Sequence, residues 1–254
     1  WKRVLEAHPA AVATADACGK HPLHVAASAG ADKEALLLLL EAHTAAAATA
    51  DAGGQYPFEL LPSGASDDAA TLLFEASGKP ARPLWEALES AATIKLSSAE
   101  LGAAVEADPG AAARPFATPA GWKPVEGALV RLRPGLGEKE GLRAGELATV
   151  TRVESYGIKL KRNGEELDNM FEPADLAHGF DGWLPLHAAA YLALNKEALS
   201  VLIEAHTAAA ATADAGGQYP LHLAASAGAD KEALLLLLEA HTAAAATADA
   251  DGQY

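Results

Sequence analysis

The chain has 254 residues, of which 64 are alanine, and its 34 acidic and 19 basic side chains give a formal net charge of −15. Half of the residues are hydrophobic, but alanine supplies about half of that fraction, so the composition favours close helix–helix packing over a core of large side chains. The acidic balance argues against a surface that binds a polyanion. The single cysteine, Cys18, excludes an internal disulfide framework and a cysteine-cluster zinc site.

The hydropathy pattern predicts no membrane-spanning segment. No apolar stretch approaches the ~18 residues that a transmembrane helix needs, and residues 1–6 contain no signal-peptide core. We therefore expect an intracellular, cytoplasmic protein with no membrane partner. The missing initial Met and the end at Tyr254 indicate a fragment.

A duplicated segment is the strongest feature of the sequence. Residues 23–52 and 221–250 are identical except that Leu223 replaces Val25. A proline also recurs with a spacing of 35 residues within each half of the chain, at Pro22, Pro57, Pro185 and Pro220. A fixed period of this size predicts a solenoid of stacked units.

Each period contains the signals of a turn, a helix, a second turn and a second helix. In the last copy, residues 214–217 have turn composition, and Pro220 suits the first position of a helix that ends at Gly228. Asp230 then predicts the N-cap of a second helix over 231–240.

The first helix of each unit carries the motif Pro-Leu-His-x-Ala-Ala, which resembles the ankyrin repeat. The resemblance implies helical hairpins stacked into a solenoid, in which the motif histidine ties backbone together in a structural role. The unit that starts at Pro57 lacks the histidine, the period exceeds the usual ~33 residues, and no threonine precedes the motif prolines. The motif residues are Pro22 and His24, Pro185 and His187, and Pro220 and His222.

Between 121 and 176 the pattern changes from helical spacing to alternation, which predicts strands near 127–133, 146–154, 156–162 and 165–171. Asn163-Gly164 is a strong hairpin signal. This segment resembles a small Src-homology-3-like β-barrel, similar to the barrels that accompany ankyrin arrays in the mind-bomb family of ubiquitin ligases. The register predicted from the turn pairs Arg162 with Glu165, Lys161 with Glu166, Leu160 with Leu167, Lys159 with Asp168, and Tyr156 with Phe171.

These patterns together predict a mainly α fold, with two short ankyrin-like α-solenoid arrays flanking a small all-β barrel. The expected domains are ankyrin-like repeats over 1–113 that degenerate after about residue 57, a barrel module with linkers over 114–178, and a C-terminally truncated array over 179–254.

The sequence offers no catalytic motif, and we expect no enzyme activity, no cofactor and no metal site. Equivalent histidines in stacked units lie about 8–10 Å apart, which is too far to share a zinc ion whose bonds are about 2 Å. We expect no nucleic-acid binding either, because residues 121–176 hold ten acidic against nine basic side chains.

The expected function is that of a non-catalytic protein–protein interaction scaffold or adaptor. The tips of the turns present Lys20, Gln55 and Gln218, and Trp122 lies beside the barrel, so these four residues are the predicted contacts with other proteins. Uncapped repeat ends predict self-association as well. An alternative stays open, in which the chain is the regulatory or substrate-recruiting part of a larger enzyme, such as a ubiquitin ligase or a kinase, whose catalytic domain lies outside this sequence.

Overall fold

The chain folds as two compact units, each built from two separate stretches of sequence. The first comprises Trp1–Ala112 and Leu192–Ala205, and the second comprises Ala113–Tyr191 and His206–Tyr254. The three-domain division expected from the sequence stays a prediction. The computed structural model describes residues 9–91, 94–120, 122–132, 138–139, 142–143, 147–154, 157–162, 165–167, 170–249 and 252.

Ten α-helices lie in these residues: α1 (Pro9–Ala13), α2 (Pro22–Ser28), α3 (Lys33–Ala42), α4 (Asp67–Ser77), α5 (Leu84–Ser90), α6 (Ser98–Ala107), α7 (Pro185–Tyr191), α8 (Lys196–Ala205), α9 (Pro220–Ser226) and α10 (Lys231–Ala240). The second helix of a unit is followed by a 3₁₀ turn of sequence Thr-Ala-Ala-Ala-Ala at Thr44–Ala48, Thr207–Ala211 and Thr242–Ala246. The sequence patterns did not predict these turns.

The two copies of the duplicated segment form the predicted helix pairs, α2 with α3 and α9 with α10. Asp32 caps α3 by accepting a 2.8 Å hydrogen bond from the Ala35 amide, and Asp230 caps α10 with a 2.7 Å bond from the Ala233 amide. The cap satisfies an amide that has no partner within the helix, which is why both helices begin one residue after the aspartate. The predicted helix over 231–240 is confirmed.

The unit that begins at Pro57 forms only a 3₁₀ turn, Pro57–Leu60, where its counterparts form a helix. A second proline, Pro62, follows at once and cannot continue a helical hydrogen-bond ladder. Glu59 occupies the position of the motif histidine, and its Oε2 accepts a 2.8 Å hydrogen bond from the Tyr56 amide. The carboxylate thus replaces the imidazole as the acceptor at the start of this unit.

The core of the first unit lies between α2, α3, the Pro57–Leu60 turn and α4. Its large side chains are fully or almost fully buried, and they comprise Leu23, Leu36, Leu40, Phe58, Leu61, Leu73 and Phe74. Small residues fill the gaps between them, as Ala27 and Ala69 do at 0% exposure. The alanine-rich composition therefore serves close helix packing, as the sequence predicts.

The described strands of the second unit are β1 (Leu129–Leu132), β2 (Glu138–Lys139), β3 (Leu142–Arg143), β4 (Leu147–Glu154), β5 (Gly157–Arg162), β6 (Glu165–Glu166) and β7 (Leu176–His178). Five of them form an antiparallel sheet with the order β6-β5-β4-β1-β7, and β2 and β3 form a separate ribbon. The apolar cluster on this module includes Val130, Leu132, Val150, Ile158, Leu160, Phe171 and Leu176.

The expected fold class, a mainly α protein with a closed all-β barrel, is wrong. In the described strands the sheet is open, because β6 and β7 form opposite edges and pair only with β5 and β1. These edge strands have two and three residues, which is too short for the continuous pairing that closes a barrel. The structure is about 49% helical and 13% strand, so the fold mixes α and β structure.

The predicted hairpin register holds near its turn and fails further away. Lys161 pairs with Glu166 and Arg162 pairs with Glu165, which confirms those two predicted pairs. The Leu167 amide donates a 2.9 Å hydrogen bond to the Leu160 carbonyl. Asn163, Gly164, Tyr156 and Asp168 lie outside the described residues.

Phe171 forms its bridge with Ile158, so the predicted pairing of Tyr156 with Phe171 is wrong. A register counted outward from a turn holds only as far as the pairing stays regular.

Candidate functional site

The turn that precedes α2, residues 16–21, is the first turn loop, and its backbone is fixed by one aspartate. The Oδ1 atom of Asp16 accepts hydrogen bonds from the amides of Cys18 at 2.8 Å and Lys20 at 2.9 Å. The Asp16 amide in turn donates to the Lys20 carbonyl at 3.0 Å. An aspartate that bonds the backbone two and four residues ahead holds the loop in one conformation.

The second turn loop, residues 51–56, repeats this arrangement 35 residues later. Oδ1 of Asp51 accepts from the amides of Gly53 at 2.8 Å and Gln55 at 3.0 Å. The hydrogen bond from Gln55 is the largest cause that holds the pKa of Asp51 below its usual value, and the bond from Gly53 and the charge of Lys20 act in the same direction. The loop therefore contains an ionised carboxylate that stabilises its backbone.

The first and second turn loops lie side by side in the first unit. The Ala52 amide donates a 2.9 Å hydrogen bond to the Cys18 carbonyl, and Lys20 Nζ lies 3.9 Å from Asp51 Oδ2. Gly19, at φ 73°, makes this approach feasible because a Cβ atom there would lie 2.9 Å from the Ala52 nitrogen. The structure thus brings the predicted contact residues Lys20 and Gln55 onto neighbouring loops.

The side chains at these two positions face solvent in part or in full. The Lys20 side chain is 34% exposed and Gln55 is exposed, while the Asp51 side chain between them is 3% exposed. The loop edge therefore offers an amine and an amide to a partner, whereas its carboxylate is occupied by the backbone.

The third turn loop, residues 214–219, lies in the second unit and has the same internal bonds. Oδ1 of Asp214 accepts from the amides of Gly216 and Gln218, both at 2.9 Å. The side-chain amide of Gln218 donates to Asp249 Oδ2 at 3.2 Å, so this predicted contact residue bonds to the following turn.

Asp214 also links the third turn loop to the sheet module. Its Oδ2 atom accepts a 2.8 Å hydrogen bond from Nε1 of Trp183, which is 1% exposed. The guanidinium carbon of Arg131 on β1 lies 4.6 Å from the centre of the Trp183 ring, and Arg131 Nε donates to the Gly179 carbonyl at 2.7 Å. A chain of contacts therefore runs from the sheet through an indole to the loop that carries Gln218.

Arg131 is only 3% exposed, which the alternating pattern of β1 did not predict. Burial lowers the pKa of Arg131 to about 10, against which the negative charges of Asp214 and Asp181 raise it, so the guanidinium stays charged at neutral pH. Arg131 connects β1 to the Gly179 carbonyl and to the ring of Trp183. The sequence does show an arginine within an apolar strand, which could have indicated its burial. Its partners Gly179 and Trp183, however, are about 50 residues away.

The motif histidines His24 and His222 each bond the backbone at two points. His24 Nδ1 accepts from the His21 amide at 3.2 Å, and its Nε2 donates to the Thr49 carbonyl at 3.0 Å. In the last copy His222 accepts from the Tyr219 amide and bonds the Ala244 carbonyl at the same two distances. Each imidazole therefore ties the start of a first helix to the 3₁₀ segment that follows the second helix.

His187, in α7, is 1% exposed and its Nε2 lies 3.0 Å from the Thr212 carbonyl. Burial is the largest cause that lowers the pKa of both His24 and His187. The prolines of the motif, Pro22, Pro185 and Pro220, are each the first residue of their helix. The motif residues therefore stabilise the backbone next to the turn loops.

Trp122 lies at the rim of the sheet module and is half-buried. Its ring packs edge-to-face against His178 at 5.5 Å and against the apolar cluster of the sheet. Part of the indole is thus engaged in packing, and the structure places it on a different element from Gln218.

The described residues contain neither a cluster that could bind a metal ion nor a helix that could span a membrane. Among the residues that the structure describes, no group of three or more His, Cys, Asp or Glu side chains could hold a metal ion. The longest described helix has 11 residues, and none of the described helices has the length and hydropathy needed to cross a bilayer.

No family model and no curated protein matches this chain. The identification as an ankyrin-repeat protein with a Src-homology-3-like barrel is wrong, because no family model supports the repeat and the sheet of the described strands is open. The side chains of His21, Tyr56 and Tyr219, which precede the prolines, form no cap hydrogen bond. Each copy of the duplicated segment also continues into a 3₁₀ turn.

Proposed function

We propose that this chain is a non-catalytic scaffold that binds other proteins through its turn loops. The observation that carries the proposal is the contrast within the first and second turn loops. Their backbones are held by Asp16 and Asp51, while Gln55 is exposed and Lys20, beside Asp51, is partly exposed.

A fixed backbone favours binding because the loop loses little conformational entropy when a partner docks. Ordering of loops and side chains costs part of the interaction free energy in most complexes, and a preorganised loop avoids that cost. The inter-loop bond from Ala52 to Cys18 extends the fixed surface over both loops. A partner with an acidic or carbonyl-rich surface is the natural complement of the Lys20 amine and the Gln55 amide.

The third turn loop supports the proposal from the second unit. Asp214 is held from two sides, by the loop amides and by Trp183, so Gln218 starts from a rigid backbone as well. The same loop design occurs in both units, with lysine at position 20 and glutamine at positions 55 and 218, and a binding surface built from repeats can use such equivalent positions.

The test begins with proteins captured by the full chain from its native source, each of which is then purified and titrated by calorimetry. The variants are the double substitution Lys20→Ser with Gln55→Ser, and the matched control Glu41→Ser on the exposed surface of α3. We expect the double variant to bind at least about tenfold more weakly, which corresponds to about 1.4 kcal/mol, and the control to bind as the wild type does. Equal affinity of all three proteins for every captured partner would contradict the proposal.

A further inference from the structure

The two copies of the duplicated segment have the same sequence but bury opposite faces. We define the trailing face of the first copy as Leu23, His24, Ala27, Leu36 and Leu40, which are 0–5% exposed. The equivalent residues of the last copy are Leu221, His222, Ala225, Leu234 and Leu238, all of them half-buried or exposed. Since the side chains are identical, the difference comes from what covers them.

The trailing face of the first copy is covered by the next unit of its own chain. Phe58 and Leu61 and, on α4, Leu73 and Phe74 join the first copy in one apolar cluster. In the last copy the same face borders an open groove of about 620 Å³. No described residue fills that groove.

The opposite face of each copy shows the reverse pattern. We define the leading face of the last copy as Pro220, Leu223, Ala224, Ala233 and Leu237, all of which are buried, with Leu223 at 3% exposure. In the first copy the equivalent residues are Pro22, Val25, Ala26, Ala35 and Leu39, and Val25 is 52% exposed. An apolar groove of about 360 Å³ opens there, with Ala11 and Val12 of α1 on its other side.

The second unit shows what covers a leading face. Helix α7 packs against α9, and its Leu186, His187 and Ala190 are 0–1% exposed. These three residues stand 35 positions before Leu221, His222 and Ala225 and are of the same types. A Leu-His-Ala stripe against a leading face is therefore a contact that this chain already forms.

We propose that the trailing face of the last copy binds the leading face of the first copy on a second molecule of this chain. The helix α9 would then meet a helix, α2, whose sequence differs from its own only at Val25. Most of the residues that line the two grooves are alanine and leucine, and each face has a covered twin elsewhere in the chain. The covered trailing face packs against leucine and phenylalanine side chains, and the covered leading face lies against a helix with a Leu-His-Ala stripe. The contact is head-to-tail, so it leaves one face of each kind free and supports assemblies larger than a dimer.

This contact involves none of the loop residues Lys20, Gln55 or Gln218, so it goes beyond the proposed binding of other proteins. The double loop variant Lys20→Ser with Gln55→Ser is expected to assemble as the wild type does. The two proposals can therefore fail separately.

The test is sedimentation of the full chain over about 5–500 µM, a range that detects micromolar dissociation constants. The variant Val25→Glu places a charge on the leading face, and Ala225→Glu places one on the trailing face, both at positions that are exposed in the monomer. Leu37→Glu is the control, because Leu37 is 42% exposed although the trailing face of its copy is covered. Circular dichroism verifies that each variant keeps the wild-type fold.

We expect the wild type and Leu37→Glu to form species larger than a dimer as the concentration rises, and each face variant alone to remain monomeric. An equimolar mixture of Val25→Glu and Ala225→Glu should form a 1:1 dimer and nothing larger, since only one intact face of each kind remains. A wild type that is monomeric throughout, a face variant that still assembles, or a mixture without the dimer would each overturn the proposal. Nonspecific aggregation through exposed leucines cannot produce the complementary dimer.

Discussion

The indole nitrogen of Trp183 donates a 2.8 Å hydrogen bond to Oδ2 of Asp214, and this bond joins the sheet module to the turn loop that carries Gln218. The Arg131 guanidinium lies on the face of the same indole. One aromatic side chain therefore contacts a buried cation through its ring and a loop carboxylate through its nitrogen.

Replacing Trp183 with Phe keeps a ring near Arg131 and removes the donor to Asp214. We expect the free energy of unfolding to fall by about 1–3 kcal/mol, because Oδ2 of the half-buried Asp214 carboxylate loses its bond from the indole. Urea denaturation measures the change, and Trp122→Phe, at a half-buried indole on the sheet rim, is the matched control with a smaller expected loss. Equal decreases in the free energy of unfolding for the two variants would show that the bond to Asp214 contributes no measurable stability.

Glycine is required at position 19 for two reasons and at position 54 for one. Both residues have positive φ, 73° and 82°, but a Cβ at Gly19 would meet the Ala52 nitrogen at 2.9 Å while one at Gly54 would meet no atom within 4 Å. Gly54→Ala should therefore cost about 1–2 kcal/mol from backbone strain, and Gly19→Ala should cost more because the two loops must also separate. Thermal unfolding of the two variants tests the order. A smaller loss for Gly19→Ala would contradict the described contact between the loops.

His24 should make the first unit sensitive to acid. Burial lowers the pKa of His24 below 6.5, and Nδ1 accepts a hydrogen bond from the His21 amide that a protonated ring could not accept. The unfolded chain binds this proton more readily than the folded chain, so stability is full above pH 6.5 and falls as the pH decreases below it. His24→Asn, which keeps an acceptor that does not titrate, should flatten this part of the stability profile.

The direct measurement is the chemical shift of the His24 ring as a function of pH. We expect a midpoint below 6.5. A midpoint above 6.5 would mean that the imidazolium is stabilised in the fold, and it would contradict the assigned hydrogen bonds.

The same substitution in the two copies should have unequal effects on stability. Ala27 is 0% exposed and Ala225, its equivalent, is exposed. Ala27→Glu buries an unpaired carboxylate and should lower the free energy of unfolding by about 2–5 kcal/mol, whereas Ala225→Glu should change it by no more than about 0.5 kcal/mol. Denaturation at low protein concentration separates this effect from association, and a similar loss in both variants would contradict the different burial of the two copies.

Local signals in the sequence were sufficient for the helix pairs. Asp230 caps α10 by accepting a hydrogen bond from the amide three residues later, and Pro220 is the first residue of α9. The start of each helix therefore depends on residues within four positions of it. The 3₁₀ turns after α3 and α10 escaped prediction because Thr-Ala-Ala-Ala-Ala has no breaker, and the bend there depends on bonds such as that of His24 to Thr49.

The remaining errors concern contacts between residues that are distant in sequence. The open sheet follows from the short strands β6 and β7, whose lengths alternation alone does not limit. Trp183 and Asp214 are 31 residues apart, and Arg131 and Gly179 are 48 residues apart, so no window of the sequence contains either pair. The loop tips were correctly found as turns, but their mutual bond from Ala52 to Cys18 required the structure.

The central claim is that other proteins bind at the turn loops, and site-specific photo-crosslinking tests it most directly. A photoreactive amino acid is placed at Gln55 in one preparation and at Glu41, on the exposed surface of α3, in another, and each is irradiated with a partner captured by the full chain. We predict crosslinks to the partner from position 55 and none from position 41, and we predict that Lys20→Glu reduces the yield at position 55. Crosslinks that form equally from both positions, or only from position 41, would contradict the account.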